Sequence, residues 1–544
     1  MNASSARLTE TRYASVQPVL IVAALLIVEV LLASMIFDGG DISAAHGSFL
    51  PQAIAFAAPW VLRGLIVFVA LVATILYVRA EWRAPVVQTR SRPSLLYASA
   101  HIASAAAVLT LSTYLYGQGS SGPWKEAIAA AWITSVLATA SSAVLVFLSL
   151  RAVADLVWPL RGLLLGSAVA AVFACAAGHL ARTLWEPTRY LTFQVVGSLL
   201  SLFVNDVVSI PDRFEIGTSR FTVLVAAECS GLEGLGLLMV FGLLWWILFG
   251  RTLGLGRSVM LFAIAAVTLY VLNAARIVAL LLIGHAGAHA IALGGFHSQA
   301  GWISFATVAF GLTLAGRRLS DRRDKVVSSR TETDNPAAPF LMPFLAFIAA
   351  GMVSTAFSAG FEWLYGLRVG AVIVALWYFR RAYKTIVWRV TWYAPIVGVV
   401  VFVLWIGLEW LLRGSVRGTS IPAQSTAADA TVQTLWLVLR IAGATILVPI
   451  AEELAFRSYL LRRFVAADFE SAPAMRWTVW AVFASSVLFG LLHGERWFAG
   501  TVAGAFYAWA VVRRGSIGDA VVAHSVTNAL LAIFVLYFSA WHLW

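Results

Sequence analysis

Apolar residues recur along this 544-residue chain in stretches of about 20, separated by short segments that carry charges, prolines or glycines. An α-helix needs about 20 apolar residues to cross a hydrocarbon core roughly 30 Å thick. The pattern predicts eight spanning helices at approximately 17–36, 59–78, 95–115, 127–150, 162–181, 223–249, 258–284 and 300–316. Seven more are predicted at 340–361, 365–379, 391–412, 431–451, 477–493, 497–512 and 517–541. We therefore expect an all-α, polytopic helical membrane protein with about 15 transmembrane helices.

One long polar interruption divides these helices into two groups. It runs from Arg317 to Asn335, and most of its residues are charged or small and polar. A charged stretch between apolar helices is typical of a linker between two membrane modules. We predict two helical-bundle modules, at residues 1–316 and 339–544, joined by a cytoplasmic linker at 317–338.

The basic residues indicate which side of the membrane each loop faces. The loop at 79–92 and the one around Arg151 and Arg161 are basic, whereas the loop at 38–58 has no Lys or Arg. Cytoplasmic loops of membrane proteins are enriched in Lys and Arg. The N-terminus is therefore predicted to be cytoplasmic. The segment at 185–220 follows five crossings and is predicted to lie in the interface at the outer surface.

Composition limits the classes of function. Hydrophobic residues make up 61% of the chain and charged residues 12%, which excludes large soluble domains. The net charge is +12, but the basic residues fall in short clusters between apolar runs, and no basic groove with interleaved aromatic residues is visible. Membrane lipid is therefore an expected partner and nucleic acid is not.

A thiol, a guanidinium and an imidazole interrupt the first module at one predicted depth. Cys229 stands at the start of a predicted helix, Arg276 near the end of the next and His297 just before a third. A helix N-terminus and a nearby guanidinium favour the thiolate, and a histidine can protonate an amine leaving group. These are the parts of a thiol acyl-transfer site. Singly, each residue has a plainer interpretation: packing, a snorkelling side chain and a helix cap, respectively.

The acidic neighbours of the thiol have no assigned role. Glu228 and Glu233 would raise the pKa of Cys229 if they faced it, so we expect them to bind arginine or substrate. A metal site here is a weaker alternative, because the loop HAGAHAIALGGFH has three histidines but no cysteine pair at a zinc spacing. We expect this site to require no cofactor.

A second polar constellation interrupts the helices of the second module. Its motifs are AEELAFR at 451–457, FGLLH at 489–493 and HSVTN at 524–528. Glu453 and Arg457 are four residues apart and can pair on one helix face. Glu452 is rotated by about 100° from that face, which leaves it available as a general base. His493 can share the task of activating water.

The last motif supplies hydrogen-bond donors. His524 and Asn528 share one helix face and can stabilise the oxyanion that forms when water attacks a peptide carbonyl. Two further interpretations remain open. Glu452, His493 and His524 can instead hold a Zn²⁺ ion, a donor set known from metallopeptidases. The motifs can also form a structural polar network between helices.

The residues of the first module carry a resemblance to a known family. The segments AAECSGLEG, LNAARIVAL and HSQAGW resemble the three signature segments of the exosortase and archaeosortase family over about residues 15–316. The resemblance implies a membrane cysteine transpeptidase that recognises C-terminal sorting signals of exported proteins. It implies Cys229 as the nucleophile, Arg276 as the substrate or oxyanion group and His297 as the acid/base.

The motifs of the second module resemble another family. EExxxR, FxxxH and HxxxN are similar to the signature of the CAAX-protease and bacteriocin-processing intramembrane peptidases, over about residues 340–541. This resemblance implies that the catalytic residues are Glu452 and His493, which activate water, and His524 and Asn528, which bind the oxyanion. It implies a supporting structural role for Glu453 and Arg457.

Together the two modules resemble the exosortase E/protease fusion. That resemblance implies a multi-pass enzyme of the bacterial inner membrane, with the thiol site facing the periplasm. The implied partners are exported proteins that end in a VPEID-type sorting motif, a transmembrane helix and a basic tail. The alternative is a polytopic transporter, or a substrate-docking scaffold in which only the C-terminal protease is active.

Overall fold

The computed structural model describes residues 29, 49–78, 94–116, 124–183, 185–226, 232–324, 335–358, 361–413, 430–466, 468–470 and 477–544. Of the residues that the structure describes, 84% are helical and 3% lie in strands. Eight of its described helices are long and apolar enough to cross a membrane. These observations confirm the predicted all-α polytopic class.

The predicted total of about 15 spanning helices stays a prediction. Apart from Glu29, the predicted helix at 17–36 lies outside the described residues. The described part of the chain also has three shorter apolar helices, Gly234–Trp246, Tyr365–Tyr378 and Val479–Leu491.

The long helices of the first part are α1 (Phe49–Val78), α2 (Leu95–Tyr116), α3 (Lys125–Phe147), α4 (Leu150–Thr183), α5 (Trp185–Leu200), α6 (Leu232–Leu253), α7 (Leu255–His285) and α8 (His297–Asp324). Those that follow are α9 (Ala338–Ala356), α10 (Tyr365–Tyr378), α11 (Tyr393–Arg413), α12 (Ala430–Val465), α13 (Val479–Leu491), α14 (Trp497–Arg514) and α15 (Ile517–Phe538). Most bounds fall near the predicted ones. However, α8 continues into the predicted linker, and α12 continues well past residue 451.

One compact unit comprises Met1–Leu184 and Leu235–Phe262. In it α2 packs along α3, and α1 packs against α3 and α4. The carboxylate of Glu126 accepts hydrogen bonds from the backbone N–H groups of Phe49 at 2.5 Å and Leu50 at 3.1 Å. Because the first N–H groups of a helix have no partner within it, this acid caps α1. His101 Nε2 lies 2.7 Å from Glu29 Oε1, so this unit contains a partly buried acid–imidazole pair.

The second compact unit comprises Trp185–Gly234 and Ala263–Trp544. Its largest apolar core is built by residues of α9 to α15 and includes Val372, Val401, Phe489 and Tyr507. Close helix contacts surround this core. A methyl group added at Gly398 of α11 would collide with the carbonyl oxygen of Ala523 on α15. Small residues of this kind let membrane helices approach closely.

The predicted interfacial position of residues 185–220 stays a prediction, and the structure shows how the segment at 185–226 folds. It forms α5 and then a three-stranded antiparallel sheet of β1 (Val207–Ile210), β2 (Glu215–Thr218) and β3 (Phe221–Leu224), in the order β1-β2-β3. The predicted helix start at 223 is wrong, because Phe221–Leu224 is a strand and α6 begins at Leu232. Side chains along β3 alternate between half-buried and exposed. That period of two is the pattern of a strand.

The sheet is anchored on α5 and α7. Ile216 of β2 and Val225, just after β3, are buried against Phe193 of α5 and Ile277 of α7. At the end of α7, His285 Nδ1 lies 2.9 Å from the hydroxyl oxygen of Thr218 on β2. The sheet therefore positions the chain that leads toward the AAECSGLEG motif relative to the helix that carries Arg276.

Candidate active sites

The predicted nucleophile cannot be placed. Cys229 and Glu228 lie outside the described residues, as does the side chain of Glu233. The chain just before them is held firmly. The backbone N–H of Val225 donates to the carbonyl oxygen of Phe214 at 2.8 Å, and Arg189 Nε donates to the carbonyl oxygen of Val225 at 2.5 Å. The Arg189 guanidinium also stacks on the Phe214 ring, 3.9 Å from its centroid.

The structure brings Arg276 and His297 together. A methyl group added at Gly301 would come within 2.9 Å of Arg276 Nη1, so the guanidinium lies against α8 at Gly301. That glycine is four residues after His297 and shares its helix face. Arg276 Nε is buried and has no hydrogen-bond partner among the described residues. The guanidinium is therefore placed beside His297, with donor capacity left over.

The electrostatics of His297 follow from this placement. The residue is the first of α8 and lies before the predicted span, directly after a π-helical turn at Ala292–Phe296. Partial desolvation of its ring, with the positive charge of Arg276 as the second cause, lowers the pKa of His297 below 6.5. Its imidazole is consequently neutral at pH 7 and can accept a proton. π-Helical turns occur frequently at functional sites.

In the second region the two adjacent glutamates lie on α12 between two π-helical segments. These segments are Gly443–Leu447 and Leu454–Leu460, and Val448–Glu453 between them is α-helical. Glu453 is fully buried and Arg457 is 1% exposed. Arg457 Nε lies 3.1 Å from Glu453 Oε2, and its Nη1 donates to Glu453 Oε1 at 3.2 Å. The predicted pairing of Glu453 with Arg457 is present in the structure.

Arg457 also ties α12 to its neighbours. Its Nη2 donates to the carbonyl oxygen of Gly504 on α14 at 2.9 Å. Its guanidinium carbon lies 4.4 Å from the ring centroid of Phe489 on α13. Since these groups engage both terminal nitrogens and one face of the guanidinium, Arg457 holds three helices together.

His524 lies between the two glutamates. Its Nδ1–H donates to Glu453 Oε1 at 2.9 Å, and its Nε2 is 3.9 Å from Glu452 Oε2. The ring stacks on Tyr507, with centroids 4.7 Å apart. Asn528 Nδ2 donates to the carbonyl oxygen of Ala444 at 2.8 Å. The Asn528 amide has a second N–H, so the predicted oxyanion role is compatible with this backbone hydrogen bond.

His493 is half-buried in the turn that follows α13. Its Nδ1–H donates to the carbonyl oxygen of Phe489 at 2.9 Å, and its ring packs against Trp405, with centroids 5.5 Å apart. The hydrogen bond fixes the tautomer, so that the lone pair lies on Nε2. His493 can therefore act as a proton acceptor through Nε2.

Glu452 borders a cavity of about 320 Å³. The cavity is lined by Gln299, Phe344, Phe347, Ile348, Gly351, Met352, Thr355, Arg368, Glu452 and Leu492. Glu452 is 8% exposed, and its Oε2 has no hydrogen-bond partner among the described residues. A buried carboxylate oxygen without a hydrogen-bond partner calls for one, and a water molecule in the adjoining cavity would supply it.

The proposed zinc ligands do not form a ligand set in this arrangement. Among the described residues no group of three or more His, Cys, Asp or Glu side chains is arranged to hold a metal ion. Glu452 and His524 face each other, but the other nitrogen of His524 is bound to Glu453. The structure thus gives no geometry for a metal-dependent step.

Comparison with protein families identifies both regions. Residues 60–314 match the model of the transmembrane exosortases of the EpsH type. Residues 434–530 match the model of the type II CAAX prenyl endopeptidase Rce1-like proteins. The two matches agree with the predicted fusion of an exosortase-like module and a CAAX-protease-like module. The matched families are membrane sorting enzymes and membrane proteases, and each match covers less than half of the chain. No curated protein and no solved structure gave a significant match.

The family matches contain the predicted site residues. The exosortase region spans Cys229, Arg276 and His297, and the Rce1-like region spans the whole second constellation. The predicted boundaries of the modules and the catalytic roles of individual residues stay predictions.

Sequence reasoning overlooked several groups that line the cavity beside Glu452. Gln299 and Thr355 line it, and Arg368 does so from α10, where its Nε bonds Glu362 Oε1 at 2.5 Å. One signal was present in the sequence. An arginine within an apolar span normally faces a partner or a cavity, and Arg368 is such a residue.

Proposed function

We propose that the exosortase region is a cysteine transpeptidase that cleaves VPEID-type C-terminal sorting signals of exported proteins. In this proposal the Cys229 thiolate attacks the scissile carbonyl carbon, and Arg276 binds the oxyanion. His297 accepts the thiol proton and then gives it to the departing amine. The observation that supports this proposal is the juxtaposition of Arg276 with the face of α8 that carries His297.

We further propose that the Rce1-like region hydrolyses peptide bonds within the membrane. Glu452 takes a proton from a water molecule, and His493 Nε2 assists as a second acceptor. The proposal is supported chiefly by Glu452 Oε2, which lies without a partner beside the cavity while Glu453 is held by Arg457 and His524. The two adjacent acids would thus have separate tasks: one reacts and the other organises the site.

His524 can stabilise the oxyanion only in one protonation state. Its Nδ1–H is used by Glu453, so Nε2 can donate only when the ring is an imidazolium. Glu453 would then act by holding the ring of His524 in one orientation, which assigns it a positioning role in the reaction.

The proposed setting follows from the family matches and the loop charges. We place the protein in the bacterial inner membrane, with a cytoplasmic N-terminus and the exosortase site facing the periplasm. Its partners would be exported proteins with a sorting motif, a transmembrane helix and a basic tail. The test is mass spectrometry of such a substrate after co-expression with the wild-type chain, Cys229→Ala or Glu452→Gln.

Cys229→Ala should abolish the new C-terminus at the sorting motif, whereas Glu452→Gln should leave it in place. Selective labelling of Cys229 by a thiol-reactive probe should accompany that activity. If Cys229→Ala processes the substrate as wild type does, the transpeptidase assignment fails. The docking-scaffold alternative then becomes the better description. Exhaustive chelation should leave the Rce1-like activity unchanged, and a loss that only Zn²⁺ restores would require the metal-dependent alternative.

A further inference from the structure

One cavity touches the surroundings of both candidate sites. Gln299, on its wall, is two residues after His297 on α8. Leu492, also on its wall, directly precedes His493, and Glu452 lines the cavity itself. His297, which would transfer protons in the exosortase reaction, therefore lies two residues from the wall of the cavity in which the Rce1-like region would hydrolyse its peptide.

The turn before His297 packs closely on the end of α9. A methyl group added at Gly295, in the π-helical turn before His297, would collide with the carbonyl oxygens of Thr355 and Ser358 at the end of α9. The rings of Phe296 and Phe357 lie 6.1 Å apart. Since the backbones meet here without an intervening layer, a peptide end at His297 is already at the border of the cavity.

The cavity is equipped for a polypeptide backbone. Arg368 Nη2 donates to Thr355 Oγ1 at 3.5 Å, and the Arg368 charge is balanced by Glu362. Gln299 contributes an amide on the same wall. Unpaired backbone groups are costly in a membrane, so a site that receives an extended peptide there needs such donors and acceptors. The remaining lining, including Phe344 and Met352, is apolar.

The chemistry proposed for the exosortase region, in which His297 protonates the departing amine, produces a new peptide end. Acyl transfer breaks the C–N bond of the sorting motif: the carbonyl carbon bonds to the sulfur, and the amine nitrogen takes a proton. The departing fragment then begins with a new amino terminus and stays in the membrane through its own helix. An amino terminus is matched by the amide oxygen of Gln299, which leaves Glu452 to activate water.

We propose that this cavity receives the new amino-terminal end of the membrane-anchored fragment, and that the Rce1-like region cuts that fragment. This inference rests on the function proposed above. The second reaction needs only water: its oxygen bonds to the peptide carbonyl carbon, the C–N bond breaks, and the new amine takes the proton. The two regions would then act in sequence on one substrate.

The test uses the full-length Cys229→Ala chain in lipid vesicles, so that only the Rce1-like region can act. Two synthetic peptides are compared by mass spectrometry. Both contain the same membrane helix and basic tail, but one begins just after the sorting motif and the other extends through the uncut motif. We expect the pre-cut peptide to be hydrolysed about tenfold faster or more. Equal rates would overturn the inference.

Two tryptophan variants of α9 test the cavity itself. Met352 lines the cavity and Val353, its neighbour in sequence, is exposed on another face. Met352→Trp should slow cutting of the pre-cut peptide about tenfold, whereas Val353→Trp should not. Gln299→Leu provides an independent variant that adds no bulk, and it should also slow cutting. Wild-type rates in both cavity variants would overturn the inference.

Failure of the inference can be distinguished from failure of the proposed function. If the wild-type chain releases the fragment and Glu452→Gln does not change its fate, the exosortase assignment stands and the sequential reaction is rejected. If the wild-type chain never cuts the sorting motif, no fragment forms and both are rejected.

Discussion

Replacing Arg457 by methionine should destabilise the Rce1-like region strongly. The substitution keeps an apolar chain of similar length but removes the charge. Glu453, which is fully buried, then retains one partner, the ring of His524 at 2.9 Å. The carbonyl oxygen of Gly504 loses its donor as well.

The magnitude follows from those losses. Removing one member of a buried ion pair costs about 3–5 kcal/mol, because the other charge stays buried without its partner. Arg457→Lys keeps a charge, but a single ammonium cannot make both contacts to Glu453 and also reach Gly504. We expect it to cost about 1–3 kcal/mol, as for buried hydrogen bonds left unmade. The free energy of unfolding of Arg457→Lys should therefore lie between those of the wild type and Arg457→Met.

The assay is denaturant unfolding of the detergent-solubilised full chain, with the double variant Glu453→Gln, Arg457→Met included. When both charges are removed, no buried charge remains from the pair. The double variant should therefore be destabilised by clearly less than the sum of the single variants. If the loss of unfolding free energy in the double variant equals the sum of the losses in the two single variants, Glu453 and Arg457 are not coupled and the reasoning is refuted.

Three further predictions concern activity. Glu452→Gln should slow peptide hydrolysis by about 10²- to 10⁴-fold, whereas Glu495→Gln, at an exposed acid, should not; similar rates would contradict the assignment. Arg276→Gln should raise the pKa of His297 and move the acid limb of the sorting rate to higher pH, since activity is lost as pH falls through that pKa. Arg276→Lys keeps the positive charge and should leave the acid limb in place. An acid limb at the wild-type pH in both variants would show that Arg276 does not affect the pKa of His297. Gly217→Ala should slow sorting but not peptide hydrolysis, because the added methyl would meet a backbone carbonyl in the sheet; equal slowing of both reactions would contradict this.

Much of the helical architecture was predictable because apolar length alone determines whether a helix can cross a membrane. The helix Ala338–Ala356 lies close to its predicted bounds for this reason. The sheet was not predicted, since its strands have only four residues each. Short apolar runs do not distinguish strand from helix by periodicity, and Phe221–Leu224 was accordingly joined to the next helix.

The candidate sites were predictable to different degrees. The pairing of Glu453 with Arg457 followed from their spacing of four on a helix, which is local information. The bond between His524 and Glu453 is not local, because it joins two helices 71 residues apart in the sequence. The cavity that includes Gln299 and Glu452 likewise depends on packing between distant helices. No single-sequence pattern encodes that packing.

The arrangement around His524 explains why two adjacent acids can have different chemical roles. Both glutamates are buried, and one imidazole lies between them. Arg457 and Nδ1 of His524 engage Glu453 at 2.9–3.2 Å, whereas Nε2 of the same ring stays 3.9 Å from Glu452. Hydrogen bonds of this length occupy the oxygens of a carboxylate and reduce their availability to water. In the proposed function, Glu453 is therefore the acid that organises the site, and Glu452, which lines the cavity, is the one that exchanges a proton.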